Sequence, residues 1–205
     1  MDDKAAVAAL GLFAAYFTFA FGLRSWLQLR RTGSTGFKGL GGRPGSAEWL
    51  AGVLFAVALI VGFAAPLLAL LDVVEPVAAL DHEAVNIAGG VLALAGIGGT
   101  FYAQVAMGAS WRVGVDPSER TELVVDGPFA IVRNPIFSAM IPTALGLVLL
   151  VPSAIAIAGL AGLILALELQ VRVVEEPYLR KVHGEAYERY AARVGRFVPG
   201  LGRLG

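Results

Sequence analysis

Five apolar stretches constrain the fold of this chain more than any other feature. They cover residues 5–23, 47–71, 84–107, 135–151 and 153–174. Each comes close to the roughly 20 apolar residues that a helix needs to cross a hydrocarbon layer about 30 Å thick. Hydrophobic residues make up 57% of the 205-residue chain, against roughly 45–50% in a soluble domain. We therefore predict an all-α integral membrane protein with about five transmembrane helices.

The charge and cysteine content exclude several other classes of protein. Charged residues make up 16% of the chain and the net charge is zero, which does not fit a basic nucleic-acid binder. The chain has no cysteine, so disulfides, thiolate metal sites and lipid attachment through sulfur are excluded. His82 and His183 fall on opposite sides of the predicted membrane, and we therefore predict no metal site. The sequence does not fix the oligomeric state.

The positions of the basic residues orient the predicted helices. Fifteen of the sixteen Lys and Arg residues fall on one side of the spans, Lys4 being the exception. The loop between the second and third spans carries four acidic residues and no Lys or Arg. By the positive-inside rule the basic side is cytoplasmic, so we expect the N-terminus outside and the C-terminus inside a bacterial-type plasma membrane. Trp26, Trp49 and Trp111 lie on the same side and predict an interfacial aromatic belt.

Two long segments, 108–134 and 175–205, are predicted to stay on the cytoplasmic face. A protein whose function required only its transmembrane helices would not need these two segments. We expect a single membrane domain over residues 1–205, with three N-terminal spans in 1–107 and a catalytic core in 108–205. In this core, a two-helix hairpin spans the membrane and a helical C-terminal cap forms a cofactor pocket. Glu176-Pro177 is expected to begin a new helix that breaks near Gly184, and Tyr187 and Tyr190 share one face of the next.

The segment from Gly127 to Pro135 contains a turn followed by a helix start. Asn134 is placed as an N-cap and Pro135 as the first helical residue. With Arg133 beside it, the helix N-terminus predicts a site for an anion such as a carboxylate. The alternative, which spacing alone leaves equally open, is that Asn134 only caps the helix and Arg133 only extends to the interface.

Two further features lie inside the predicted spans. Glu168, Arg172 and Glu175 have the spacing of one helical stripe, with Glu168 about two turns inside the hydrocarbon layer. A buried ionisable group there predicts a water-filled or ligand-filled cavity, or alternatively a structural Glu168–Arg172 pair. In the third span, Gly96 and Gly98 open the helix to close approach, and helix packing is favoured over ligand contact.

These motifs, taken in order, resemble the isoprenylcysteine carboxyl methyltransferase and phospholipid methyltransferase superfamily. The resemblance lies in Gly127-Pro128-Phe129, Arg133-Asn134-Pro135, the tandem Glu175-Glu176, and then Gly184, Tyr187, Tyr190, Arg196-Phe197 and Pro199. It covers about residues 111–199. One departure is Asn134, which stands where the family usually has a histidine and which cannot act as a base at neutral pH.

The resemblance implies a membrane enzyme that uses S-adenosylmethionine and methylates a lipophilic or membrane-embedded acceptor. It also implies the site residues. The cofactor-binding residues would be Gly96, Gly98, Gly127, Pro128, Phe129, Arg133, Asn134, Pro135, Glu175, Glu176, Tyr187 and Tyr190. The catalytic residues would be Arg133, Glu168 and Glu175. Two alternatives stay open at this point: an NADPH-dependent membrane reductase of the steroid-reductase type, and a non-catalytic membrane protein that retains the fold.

Overall fold

The computed structural model describes residues 3–37, 39, 41–113 and 122–204, and these fold into α-helices joined by turns and loops. The helices are α1 (Asp3–Thr32), α2 (Ala47–Leu70), α3 (Glu83–Ala106), α4 (Pro135–Leu150), α5 (Ala154–His183) and α6 (Glu185–Arg193). Two short 3₁₀ turns, Gly108–Ser110 and Gly127–Ala130, precede α4. No strand forms within the described ranges, so the all-α prediction is confirmed.

The helices have the length and surface of membrane spans. α1, α2, α3 and α5 are each long and apolar enough to cross a bilayer, and α4 is a shorter apolar helix of 16 residues. Large apolar side chains such as Ile60, Val91 and Leu94 point outwards and are 59–66% exposed. Water would not tolerate so much exposed apolar surface, whereas lipid does. The chain is an integral membrane protein with the predicted set of five apolar helices.

α5 is longer than the hydrocarbon layer and carries the site-bearing residues beyond it. Its 30 residues correspond to about 45 Å of helix, against a layer about 30 Å thick. The overhang lies at the C-terminal end, because the helix begins at the tight turn after α4, where the Ser153 hydroxyl caps it by accepting from the Ala156 amide at 3.2 Å. We call the end of the bundle where α1 and α5 finish the basic end, since Arg30, Arg31 and Arg180 lie there.

The predicted helix start at Glu176-Pro177 is confirmed in part: an α-helical segment runs from Glu176 to His183 and ends at Gly184, as predicted. It is joined to the preceding span by a π-helical turn, Gln170–Glu175, so α5 continues without a break. Proline has no N–H and its ring collides with the carbonyl four residues earlier, and a wider turn relieves both problems. The π-turn also shifts the residues after it around the helix. Glu175 therefore leaves the stripe that Glu168 and Arg172 share.

Small residues bring α3 and α4 into close contact. A Cβ atom added at Gly146 would lie 2.5 Å from both the Ala93 nitrogen and the Gly89 oxygen. At Gly96 it would lie 2.6 Å from the Thr143 nitrogen. Such approaches require glycine, and small residues at helix contacts are typical of membrane proteins. The sequence-based preference for packing at Gly96 is confirmed.

The predicted aromatic belt needs one correction. Trp26 is half exposed, but Trp111 is buried, with the Arg24 guanidinium 4.6 Å from its ring centroid. Trp111 therefore packs inside the basic end and does not face lipid. Two of the basic residues used to orient the chain, Lys38 and Arg120, lie outside the described residues.

Candidate functional site

Three charged side chains meet at the basic end, and we call them the buried ion-pair cluster (Arg133, Glu176 and Arg196). The Arg133 Nη2 lies 2.7 Å from Glu176 Oε1. The Arg196 Nε donates to Oε1 at 2.7 Å and its Nη2 donates to Oε2 at 3.1 Å. All three residues are buried. The hydrogen bonds and charge of Glu176 raise the pKa of the Arg196 guanidinium, so this guanidinium stays protonated.

Backbone pairing brings this cluster together from distant parts of the chain. Val132 and Gly195 form a parallel bridge, in which the Arg133 amide donates to the Gly195 carbonyl at 2.8 Å. The Asn134 amide donates to the Arg196 carbonyl at 3.1 Å. The segment before α4 is thus held against the segment after α6. Arg133 and Arg196 then reach Glu176 from two sides.

Arg133 is almost fully engaged inside the protein. Its Nη1 donates to the carbonyls of Ala191 at 3.0 Å and Val194 at 2.6 Å. Its Nη2 donates to Glu176 and to the Gly202 carbonyl at 3.1 Å. Four of the five N–H donors of a guanidinium are thereby used, and the buried Nε has no partner in the described part of the chain. The Tyr187 hydroxyl also lies within hydrogen-bonding reach of this guanidinium. The contacts of Arg133 therefore hold the surrounding chain segments in position.

Asn134 and Pro135 stand at the start of α4 as predicted, but the predicted side-chain cap is wrong. The Asn134 side chain makes no capping hydrogen bond. Its Nδ2 donates instead to the Arg196 carbonyl at 3.1 Å. The Ser138 hydroxyl donates to the Phe197 carbonyl at 2.8 Å, one turn into the helix. The polar groups at the start of α4 therefore bind the C-terminal segment.

The Gly127-Pro128-Phe129 motif forms a 3₁₀ turn that α6 holds in place. Gly127 has a φ of +58°, which favours glycine. The Tyr190 hydroxyl donates to the Phe129 carbonyl at 2.6 Å. Tyr187 and Tyr190 share a face as predicted, with ring centroids 6.3 Å apart. Burial raises the pKa of Tyr187 to about 12, and it also raises that of Tyr190, so both phenols stay protonated at neutral pH.

The tandem glutamates have different surroundings. Glu176 is paired with two guanidinium groups, whereas Glu175 accepts a single hydrogen bond from the described residues, donated by Gln170 Nε2 at 3.3 Å. The charge of Arg112 reaches Glu175, and the Arg112 guanidinium stacks on the Tyr178 ring at 4.9 Å from its centroid. Arg112 also lies near His183, whose Nε2 is buried. With respect to the described residues, Glu175 therefore has acceptor positions to spare, and it lies beside a second set of polar groups.

The other predicted site residues make no hydrogen bond to these groups within the described residues, although the charge of Glu168 reaches Arg196. Glu168 is hydrogen-bonded to Arg172, and both side chains are partly exposed, which is the structural pair of the alternative interpretation. Gly96 is covered by α4, and a Cβ at Gly98 would meet no atom within 4 Å. Contact of Gly98 with a cofactor stays a prediction. Among the described residues, no three His, Asp or Glu side chains are grouped as a metal site requires.

Sequence reasoning named Arg196 only as part of the family resemblance, without assigning it to the site, and it missed Arg112. Arg196 follows the bend at Gly195, and its role depends on a contact with a residue twenty positions earlier. Nothing in the local pattern indicates that contact. Arg112 follows Trp111 immediately after the third span, where an arginine is also expected to extend to the interface. Both contacts form only in the folded chain. Arg196 reaches Glu176 when the C-terminal segment folds back, and Arg112 lies beside Glu175 and Tyr178 of α5.

A comparison with known families matches this region. A family model described as phospholipid methyltransferase matches residues 85–186, from the start of α3 to the start of α6. The match includes the 3₁₀ turn, the start of α4 and the tandem glutamates. No curated protein matches the chain. Through residues 85–186, the chain belongs to the phospholipid methyltransferase family.

Proposed function

We propose that this protein is an S-adenosylmethionine-dependent methyltransferase acting on a lipophilic acceptor in the membrane. Membership in the phospholipid methyltransferase family supports the reaction type. Residues 108–205 form the catalytic core in this proposal, and residues 1–107 supply three supporting spans. The basic end faces the cytoplasm, in accordance with the distribution of Lys and Arg.

The unequal surroundings of Glu175 and Glu176 carry the proposal. A carboxylate accepts about four hydrogen bonds, and from the described residues Glu175 accepts one, at 3.3 Å. Glu175 lies near the end of the 30-residue α5, in its overhang beyond the hydrocarbon layer. It therefore suits the hydroxyl and ammonium groups of a water-soluble cofactor that enters from the basic end. Glu176, by contrast, is compensated by two guanidinium groups and positions the surrounding chain.

In this proposal the residues of this chain bind and orient the cofactor and the acceptor, and methyl transfer depends mainly on such positioning. S-adenosylmethionine supplies, when bound, an electrophilic methyl group. Glu175 holds hydroxyl or amino groups, while the buried ion-pair cluster fixes the start of α4 against the C-terminal segment. Tyr190 holds the Gly127–Ala130 turn through the Phe129 carbonyl. Fixing these elements in advance lowers the entropic part of the barrier for a displacement reaction.

Titration calorimetry tests this proposal. S-adenosylmethionine and its demethylated product are titrated into the detergent-solubilised protein, its Glu175→Gln variant and a Glu185→Gln control. Glu185 is exposed on α6 and pairs with Arg189, so the control removes the same charge outside the site. We expect saturable binding to the wild type and the control. In Glu175→Gln the affinity should fall by about 1.5–3 kcal/mol, the range for hydrogen bonds to a charged group.

Two results would count against the proposal. Absence of binding to a folded, monodisperse wild-type protein would contradict the methyltransferase function, and NADPH would be the next ligand titrated. Equal affinities in Glu175→Gln and the wild type would keep the function and remove Glu175 from the cofactor site.

A further inference from the structure

An exposed turn follows the buried ion-pair cluster in the chain, and we call it the apolar turn (Val198, Pro199, Gly200 and Leu201). The Leu201 amide donates to the Val198 carbonyl at 3.1 Å. Proline at the second position and glycine at the third, here with a φ of +78°, are typical of a type II turn. Val198 and Leu201 are 51% and 65% exposed. Because a β-turn brings its first and last residues together, it presents two large apolar side chains close to each other.

The arginines of the buried ion-pair cluster hold the apolar turn in place. The Arg196 amide donates to the Leu201 carbonyl at 2.8 Å. The Arg133 Nη2 donates to the Gly202 carbonyl, immediately after the turn, at 3.1 Å. The exposure of Val198 and Leu201 is therefore built into the fold of the C-terminal segment.

The apolar turn begins at the depth of the membrane surface. The Ser138 hydroxyl, one turn into α4, donates to the carbonyl of Phe197, the residue before the turn, at 2.8 Å. α4 has 16 residues, which correspond to about 24 Å of helix, and the hydrocarbon layer is thicker, at about 30 Å. The start of α4 therefore lies at the edge of that layer and not in the water beyond it. Phe197 lies at the same depth, and the apolar turn follows it directly.

A guanidinium group lies beside the apolar turn. A Cβ atom added at Gly200 would lie 3.6 Å from Arg203 Nη2, and Arg203 is exposed. Apolar side chains next to a basic residue are typical of segments that lie in a membrane surface. There the apolar groups reach the acyl chains, while the basic group is attracted to the phosphates of the headgroups. The turn thus combines the two kinds of contact that a lipid surface offers.

We propose that the apolar turn anchors the C-terminal segment in the membrane surface at the basic end. Val198 and Leu201 insert among the acyl chains just below the headgroups, and Arg203 binds a lipid phosphate. The partner is lipid of the surrounding leaflet, because the turn follows a residue that is bonded to a membrane helix at the edge of the hydrocarbon layer. This inference goes beyond methyl transfer and does not depend on it.

The anchor also restrains the candidate site. Hydrogen bonds from Arg133 and Arg196 end on carbonyls in and next to the turn, and both guanidinium groups pair with Glu176. Lipid that holds the turn therefore limits the movement of the buried ion-pair cluster. Through this cluster, the C-terminal segment stays against the start of α4.

Fluorescence quenching tests this inference. The chain has no cysteine, so Leu201→Cys and Glu185→Cys each accept a single environment-sensitive NBD label. Glu185 is the control, because its side chain is 86% exposed on α6. The labelled proteins are placed in nanodiscs of phosphatidylcholine and phosphatidylglycerol, and the quenchers are doxyl-labelled lipid and aqueous iodide. At residue 201 we expect emission at shorter wavelength, quenching by the doxyl lipid and loss of quenching by iodide, with the reverse pattern at residue 185.

A second substitution tests the contact with phosphate. Combined with the label at residue 201, Arg203→Gln should weaken quenching by the doxyl lipid and restore part of the quenching by iodide. Arg189→Gln is its control, since it removes an exposed guanidinium from α6, and it should leave both unchanged. No change in Arg203→Gln would overturn the assignment of Arg203 to a lipid phosphate.

Two other results would overturn the anchor itself. Equal quenching by iodide at residues 201 and 185 would place the turn in water. Emission at short wavelength without quenching by either reagent would mean that another protein surface, such as a second copy of this chain, covers the turn. If the labelled Leu201→Cys protein does not fold, Val198→Cys takes its place with the same expected pattern. None of these readings uses the cofactor, so they stand apart from the test of the proposed function.

Discussion

At the scale of single residues, Glu176 shows how a candidate ligand-binding group becomes a structural one. Glu175 and Glu176 are adjacent in the sequence at the end of an apolar span, so the sequence alone predicts the same cofactor-binding role for both. Their surroundings differ because Arg133 and Arg196 reach only Glu176. Arg196 lies twenty residues further on and arrives through the backbone bridge at Gly195. Local spacing cannot predict such a contact, so the sequence predicts the residue types and not their division of roles.

Because Glu176 has a structural role and Glu175 does not, we predict a large loss of stability in Glu176→Gln. The substitution leaves two buried guanidinium groups without a counter-charge, and breaking a buried ion pair costs about 3–5 kcal/mol. Glu175→Gln should leave stability within about 0.5 kcal/mol of the wild type, as is usual for substitutions outside such networks. Unfolding in mixed micelles with a rising fraction of dodecyl sulfate measures the free energy of each variant. Equal stabilities of Glu176→Gln and Glu175→Gln would contradict the assigned roles.

At the scale of helices, the apolar pattern predicts the spans well and their ends poorly. α1 and α5 run past the predicted ends to Thr32 and His183. Hydropathy detects where a helix leaves lipid, but the hydrogen-bonded backbone continues into the polar region. Both long helices also contain a π-turn, Thr18–Leu23 and Gln170–Glu175. No simple residue pattern signals the first, whereas Pro177 gives a steric reason for the second.

The contact between α3 and α4 predicts opposite effects for two neighbouring glycines. In Gly96→Ala the new Cβ would lie 2.6 Å from the Thr143 nitrogen and 2.8 Å from the Ala139 oxygen. Both are backbone atoms that cannot move aside, so we expect destabilisation of about 1–3 kcal/mol, as in other overpacked sites. At Gly98 the Cβ meets no atom within 4 Å, and alanine is the better helix former, so Gly98→Ala should be neutral or stabilising.

The same pair of variants tests whether Gly98 contacts the cofactor. Stability is measured in mixed micelles and S-adenosylmethionine affinity by calorimetry. A Gly98→Ala variant that is stable but binds the cofactor more weakly would place Gly98 in the cofactor site. If Gly96→Ala is as stable as the wild type, then the close approach of α3 to α4 is not required.

At the scale of the whole molecule, the two ends of the bundle differ in charge and in the chain segments that pack against them. The basic end carries the overhang of α5, α6 and the C-terminal segment, all packed under the helices. In the described part of the chain, the opposite end has the start of α1, the short turn between α4 and α5 and the acidic loop between α2 and α3. Charge counting alone predicts this polarity. It does not predict that the C-terminal segment folds back to complete the site, because that depends on the pairing of residues 132–134 with 195–196.

The polarity predicts a specific pattern of labelling across the membrane. The chain has no cysteine, so Ala79→Cys and Ala192→Cys each introduce a single thiol at an exposed position, one at each end of the bundle. By the positive-inside rule, a membrane-impermeant maleimide added to intact cells should modify Ala79→Cys and spare Ala192→Cys. After the membrane is made permeable, both variants should react. If Ala192→Cys reacts in intact cells while Ala79→Cys is protected, the basic end faces outwards, and a cofactor made in the cytoplasm could not reach Glu175 from that side.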